Sequence, residues 1–168
     1  DALGRLSTKT QLTSGRTFTV GYTWGDSGPA LDKLTAIAYP SGNRVNYSYD
    51  AQGSLAGVSL NPVNPNGVGV SGTSQSLLSS LTYNADSNVT GWTWSSGQAR
   101  SIGYNSFGLV SGYSLGNPSG TGAASGAQRT VLRDAAGRIT GYSHTNNAGP
   151  APALDQSFGY DNLNRLLN

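Results

Sequence analysis

The chain has 168 residues, 24 of them glycine and none of them cysteine or methionine, with a formal net charge of +2 and only 11% charged residues. Without cysteine there is neither a disulfide nor a thiolate metal site, and the eight arginines are spread along the chain rather than gathered into the basic stripe a nucleic acid needs. All acidic residues are Asp, and lysine is confined to Lys9 and Lys33, so strong helix formers are scarce. No stretch approaches the ~20 apolar residues of a membrane helix, and none reads as a signal peptide.

Taken in chain order, two-residue apolar alternation predicts strands over 5–12, 16–24, 33–39, 44–49, 55–60, 77–83, 89–94, 99–104, 109–115, 129–133, 138–144 and 157–160. Tyr39-Pro40-Ser41-Gly42-Asn43 is a turn between two of them. Three stretches rich in Gly, Ser, Pro, Asn or Ala (61–76, 116–128 and 145–156) read as surface loops, with partner binding as the alternative.

Six turns share one phrase, which is the mark of a repeat array. Asp1, Asp50, Asn84, Asn105, Asp134 and Asp161 open them, and three residues later come Gly4, Gly53, Ser87, Gly108, Gly137 and Asn164. The Asp or Asn can accept a hydrogen bond from the backbone two residues on. The later slot favours residues that tolerate positive φ. Ser87 fits it least well, and Asn88 beside it is expected to take the left-handed position instead. Leu6, Leu55, Val89, Val110, Ile139 and Leu166 then begin the outgoing strands.

The incoming strand places Tyr49, Tyr83, Tyr104 and Tyr160 directly before the turn, with Arg133 replacing Tyr in the fifth copy. Thr17–Trp24 with Gly25-Asp26-Ser27-Gly28 reads as a degenerate unit between the first two copies. Seven residues past the Asp or Asn stand Gly57, Gly91, Gly112 and Gly141, and the apolar parity flips there. That predicts a β-bulge at the glycine, or a close backbone approach. Arginines near the turns are expected to pair with neighbouring Asp.

The phrase Tyr-Asp-x-x-Gly-Arg-Leu, seen most fully at Tyr49–Leu55 with its lead-in from Tyr39, resembles the YD repeat of the Rhs family. That family includes bacterial polymorphic toxins, insecticidal toxin-complex C components and, more distantly, teneurins. The resemblance covers the chain from Asp1 to Leu166. It implies an all-β fold: an antiparallel β-hairpin repeat array forming a curved, spiralling open sheet. It also implies that residues 1–168 are a single segment of a longer array, whose shell encloses a toxin or other cargo domain and does no catalysis. Implied partners are the flanking repeats and the enclosed toxin domain, with edge-to-edge self-association at cut strands. The implied setting is secreted or extracellular, delivered from a bacterial cell. The family's self-cleaving Asp-Pro motif is absent from these residues.

The residues themselves offer little chemistry. His144 is the sole histidine and reads as a strand-face residue, without a nucleophile and orienting group beside it. The aspartates are too scattered for an all-oxygen metal site, and the Gly-rich stretches lack a phosphate-binding lysine. No cofactor and no metal are expected. Trp92, Trp94, Tyr113 and Tyr142 recur at matching places after the glycine. They read as the apolar lining of the sheet, or, if solvent-facing, as a platform for sugar rings in a carbohydrate-binding module.

Overall fold

A computed structural model describes residues 1–63, 73–114 and 126–167. Leu115 and most of the two longer Gly-rich stretches lie outside the described residues. The chain divides into two units, Asp1–Leu81 and Thr82–Asn168, and the division runs through a strand rather than a linker. The first unit holds β1 (Thr8–Thr13), β2 (Arg16–Trp24), β3 (Leu34–Ala38), β4 (Arg44–Tyr49), β5 (Leu55–Asn61) and most of β6 (Gln75–Tyr83). The second holds β7 (Val89–Trp94), β8 (Ala99–Tyr104), β9 (Val110–Ser114), β10 (Gln128–Arg133) and β11 (Ile139–Asn146). It also holds the two-residue strands β12 (Gly149–Pro150), β13 (Gln156–Ser157), β14 (Gly159–Tyr160) and β15 (Leu166–Leu167).

Within each unit the strands lie side by side in chain order, antiparallel and open. β13 adds to β11, and β14 with β15 makes a separate hairpin. The only helical pieces among the described residues are 3-10 turns at Gly28–Ala30 and Pro152–Leu154. The all-β hairpin array expected from the sequence is the fold found.

The turns form as their chemistry dictates. Asp50 Oδ1 accepts hydrogen bonds from the N–H of Gln52 at 3.0 Å and of Ser54 at 2.8 Å. The Gly53 N–H bonds the Asp50 carbonyl and the Asp50 N–H bonds the Ser54 carbonyl, each at 2.9 Å. The same side-chain pair of bonds recurs at Asp1, Asn84, Asn105, Asp134 and Asp161. Closing a ring at both the second and fourth residues forces the third into the left-handed region. Gly4, Gly53, Gly108 and Gly137 have φ of 76°, 79°, 73° and 81°, and Asn164 has 61°. In the third copy Ser87, not Asn88, is left-handed, with φ 63°. The Asn88 N–H is held by Asn84 Oδ1 and its carbonyl by the Asn84 N–H, so Asn88 cannot take that conformation.

The bulge is present in three copies, one residue earlier than the glycine. Tyr49 opposes Leu55 while Ser48 opposes Gly57, leaving Ala56 as the extra residue. Ser111 and Thr140 are skipped in the same way, and so is Thr35 in the degenerate unit, where Ala36 stands in the glycine position. The glycine answers a separate need, close approach of the neighbouring strand. A Cβ on Gly91 would sit 2.8 Å from the Arg100 carbonyl oxygen, and one on Gly112 would sit 2.7 Å from that of Arg129. At the glycine itself it is the close approach that holds, and the expected bulge is displaced to the residue before it.

The bulge keeps the apolar side chains on one face. In the first unit Tyr22, Ile37, Val45 and Leu60 oppose one another across strands, as do Tyr47, Val58 and Leu78. That face is half-buried rather than buried. Among the described residues only Ala36 and Ala127 are buried apolar side chains.

Some boundaries differ from the sequence reading. β1 starts at Thr8, because residues 5–7 belong to the turn and its exit. The stretch 145–156 is ordered, not a loop: β11 runs on to Asn146, whose Oδ1 accepts from the Ala148 N–H, and Thr145 and Asn146 pair with Pro150 and Gly149. The predicted strand 157–160 is split at Phe158 into β13 and β14.

Valine at position 53, 108 or 137 should cost at least ~1 kcal/mol, because a β-branched residue is strained at positive φ. Chemical denaturation of the three variants measures this. Losses no larger than the ~0.5 kcal/mol of ordinary surface changes would contradict the turn account.

Candidate functional site

Two sets of side chains stand out, a joint between successive repeats and an aromatic cluster on the second unit. The joint uses the residue just before each turn. Tyr49 Oη donates to the Leu34 carbonyl at 2.7 Å, Tyr104 Oη to that of Val89 at 3.0 Å and Tyr160 Oη to that of Ile139 at 2.8 Å. Val89 and Ile139 are the first outgoing residues of the preceding repeats. Trp24 Nε1 makes the same bond to Leu6 at 2.8 Å. Arg133, which replaces Tyr, reaches Val110 through a guanidinium nitrogen at 3.3 Å. Joints of one design thus tie each of these repeats to the one before it.

Trp24 and Leu34 also settle the degenerate unit. The Gly25 N–H bonds the Lys33 carbonyl, the Asp32 N–H bonds the Gly25 carbonyl, and Asp32 has φ 59°. Gly25 therefore stands in the Asp slot, Asp32 in the left-handed slot, and the 3-10 turn is an insertion between them.

A cation completes the joint where one is present. Arg5, Arg138 and Arg165 each pair with their own turn's Asp (Asp1, Asp134, Asp161) at 2.7 Å. Arg5 then reaches Asp32 at 2.6 Å and lies 5.5 Å from the Trp24 ring centre. Arg138 reaches Asn164 and lies 4.9 Å from the Tyr160 ring. Lys33 lies 5.8 Å from the Tyr49 ring. The cation of one repeat thus covers the aromatic ring of the next. The expected pairing of arginine with Asp is found, but its reach into the next repeat was not anticipated. The signal was in the sequence: Arg5, Lys33, Arg138 and Arg165 all follow the left-handed slot directly.

Of the residues expected to form the turns, Asp50, Gly53, Asn84, Asn105, Gly108, Asp134, Gly137, Asp161 and Asn164 all occupy those slots. The hydrogen bond from Arg138 holds the Asp134 carboxyl below its ordinary value of 3.8. Asp161 is lowered too, first by the Arg165 backbone N–H and then by its side chain. Burial raises the Tyr49 phenol, with Tyr47 a lesser cause.

Trp92, Trp94, Tyr113 and Tyr142 lie on one face of the second unit. Trp92 opposes Arg100, Tyr113 opposes both Ile102 and Arg129, and Tyr142 opposes Val131. Trp92 and Trp94 meet edge to face, with centroids 5.7 Å apart and planes at 85°, and Trp94 is 43% exposed. Arg129 lies 4.5 Å from the Tyr142 ring centre and 5.7 Å from that of Tyr113, and donates to Tyr113 Oη at 2.9 Å. Phe158 packs edge-on against Tyr142.

His144 closes this cluster and is buried. Its Nε2 lies 2.9 Å from Arg129 Nε, and its Nδ1 lies 3.2 Å from Asp155 Oδ1, which also accepts from the His144 N–H. Since Arg can only donate, Nε2 keeps its lone pair and Nδ1–H points to Asp155. Asp155 is an orienting group that the sequence reading missed, because it sits eleven residues on in the stretch read as a loop. Asp155, His144, Arg129 and Tyr113 thus form one hydrogen-bonded chain.

No family model matches the chain, and no curated protein matches it. Solved structures do. A crystal structure of TcdB2-TccC3 shares 20% identity and a TM-score of 0.71 over 92% of this chain. TcdB2-TccC3 without its hypervariable C-terminal region gives the same values. A Photorhabdus luminescens Tc holotoxin pore shares 19% identity and a TM-score of 0.68 over 89% of the chain. Each match spans only 7% of the other chain's length.

Two outcomes follow. Tyr104→Phe should cost ~0.5–1.5 kcal/mol in denaturant unfolding, since it leaves the Val89 carbonyl without its donor; no loss would contradict the joint. Asp134, whose pKa is lowered in the fold, contributes stability above its ordinary value of 3.8 that is lost as pH falls through the lowered value. Asp134→Asn keeps the turn acceptor, as Asn84 and Asn105 do, so acid titration of the variant should show a shallower loss below that value. An unchanged acid profile would remove Asp134 from the account. At 19% and 20% identity, the matches show that this chain shares the fold of these structures.

Proposed function

We propose that this chain is a non-catalytic structural segment of an Rhs-type shell, which encloses a toxin or other cargo domain in a large protein secreted or delivered from a bacterial cell. The observation that carries this reading is the joint that recurs at Trp24, Tyr49, Tyr104, Arg133 and Tyr160. It makes each hairpin depend on its neighbour, as a wall requires, while only Ala36 and Ala127 are buried apolar side chains among the described residues. Likeness to the TcdB2-TccC3 fold supports it. Flanking repeats and an enclosed domain are the partners in this reading.

Limited proteolysis of the parent protein is the test. The enclosed domain should resist digestion in the intact protein and be cut when expressed alone. Equal digestion in both settings would end the reading.

A carbohydrate-binding surface is the second reading, favoured by the partial exposure of Trp94 beside Trp92. Replacing both with Ala should abolish retention on a glycan array with the fold intact if that reading holds. Under the shell reading the pair lines the sheet, and its loss lowers stability by less than the ~3–5 kcal/mol of a buried Trp, without a glycan phenotype.

A further inference from the structure

One joint inverts the pattern of the others. Leu109 stands in its cation slot and Arg133 in its ring slot, so the charge sits on the later repeat rather than the earlier one. Between these two turns, both in the second unit, lies a cleft of about 500 Å³. That falls within the ~300–1,000 Å³ of sites that hold small organic ligands.

The walls of the cleft are largely apolar: Phe107, Leu109, Ala135 and Ala136 line it. Phe107 is 85% exposed, more than any other large apolar side chain among the described residues, and Leu109 is exposed too. The turn itself requires neither. Gln52 and Asp86 stand at the Phe107 position in two other turns, and Ser54 and Asn88 at the Leu109 position. Exposed apolar side chains gathered around a cleft mark a place of contact.

Arg133 is the cation on this lining. It is half-buried and forms no ion pair among the described residues, whereas Arg5, Arg138 and Arg165 each hold an Asp. Two of its five N–H donors go to neutral carbonyls, Gly137 at 2.8 Å and Val110 at 3.3 Å, and its Nε is buried without a partner. A half-buried cation held by neutral carbonyls alone lacks the counter-charge such groups need. The two turns do not supply it. Asn105 is uncharged, and Asp134 gives Oδ1 to the Ala136 and Arg138 N–H groups and Oδ2 to Arg138 Nε.

We infer that this cleft is a binding site for a carboxylate carried on an apolar group. The remaining N–H groups of the Arg133 fork bind the carboxylate, and the apolar group lies against Phe107, Leu109 and Ala136. One cation beside the Asp134 carboxylate matches a single negative charge rather than a phosphate dianion. Two sources share this chemistry, a free organic acid and the C-terminus of a chain ending in an apolar residue.

The test titrates phenylpropanoate into the whole isotope-labelled chain and follows the amide NMR shifts. Saturable shifts should appear at Phe107, Leu109, Ala136 and Gly137, with a dissociation constant on the order of 1 mM for a ligand of about ten heavy atoms. Phenylpropanamide, which lacks the charge, and acetate, which lacks the ring, should each bind at least about tenfold more weakly. Arg133→Gln, whose amide can still donate to a carbonyl, should abolish binding. Phe107→Ser alters an exposed position, so it carries the test even if the Arg133 variant does not fold; it should weaken binding about tenfold and leave the rest of the spectrum unchanged. A peptide ending in a free Phe carboxylate that binds more tightly than phenylpropanoate assigns the site to a chain end, and a weaker one assigns it to a free acid; both support the site. The absence of saturable shifts at these residues, equal binding of the amide or of inorganic phosphate, or full binding by Phe107→Ser would overturn the inference.

Discussion

One kind of hydrogen bond recurs through this protein: Trp24, Tyr49, Tyr104, Arg133 and Tyr160, each just before a turn, donate to the first outgoing carbonyl of the preceding repeat. Hydrophobic burial usually dominates folding, yet here the apolar side chains lie half-buried on one sheet face. A single bond of this kind contributes ~0.5–1.5 kcal/mol. Five together reach about 5 kcal/mol, comparable to the lower end of a domain's total stability of 5–15 kcal/mol. They act between sequence neighbours, so stability is distributed along the array in nearest-neighbour terms.

Everything else in the repeat serves to aim that bond. The Asp or Asn fixes two backbone N–H groups of the turn, the left-handed residue lets the chain reverse, and the bulge returns the outgoing strand to its face. The glycine beside the bulge lets the next strand's carbonyl approach. The joint tolerates exchange of donor, since Trp24, Tyr49 and Arg133 all reach a carbonyl. What it conserves is the distance from turn to neighbouring strand, not the chemical type. The cation is optional: Ser54, Asn88 and Leu109 stand in its slot in three repeats.

The local grammar was legible because turn chemistry is short-range. Asp50 and Gly53 act within five residues, so their roles can be read without knowing the sheet. β2, β4, β7 and β8 fall where alternation places them for the same reason. The joint was not legible in that way, because Tyr49 and Leu34 are separated by fifteen residues and Arg138 and Asn164 by twenty-six. Asp155 escaped for a related reason: its composition-poor surroundings look like a loop, while its bond to His144 depends on where β11 ends. The insertion in the degenerate unit hid Asp32, which takes a left-handed position usually left to glycine or asparagine.

The aromatic face and the joints answer different questions. The joints hold hairpin to hairpin, and Trp92, Trp94, Tyr113 and Tyr142 share one face of the second unit. Around Arg129 and His144 the side chains bond one another, Arg129 to His144 and Tyr113, and His144 to Asp155. The most direct measurement of the central claim is native-state hydrogen exchange of Tyr160→Phe. The account predicts faster exchange in β11, which supplies the Ile139 carbonyl, as well as in β14 and β15. Acceleration confined to the Tyr160 hairpin would contradict it.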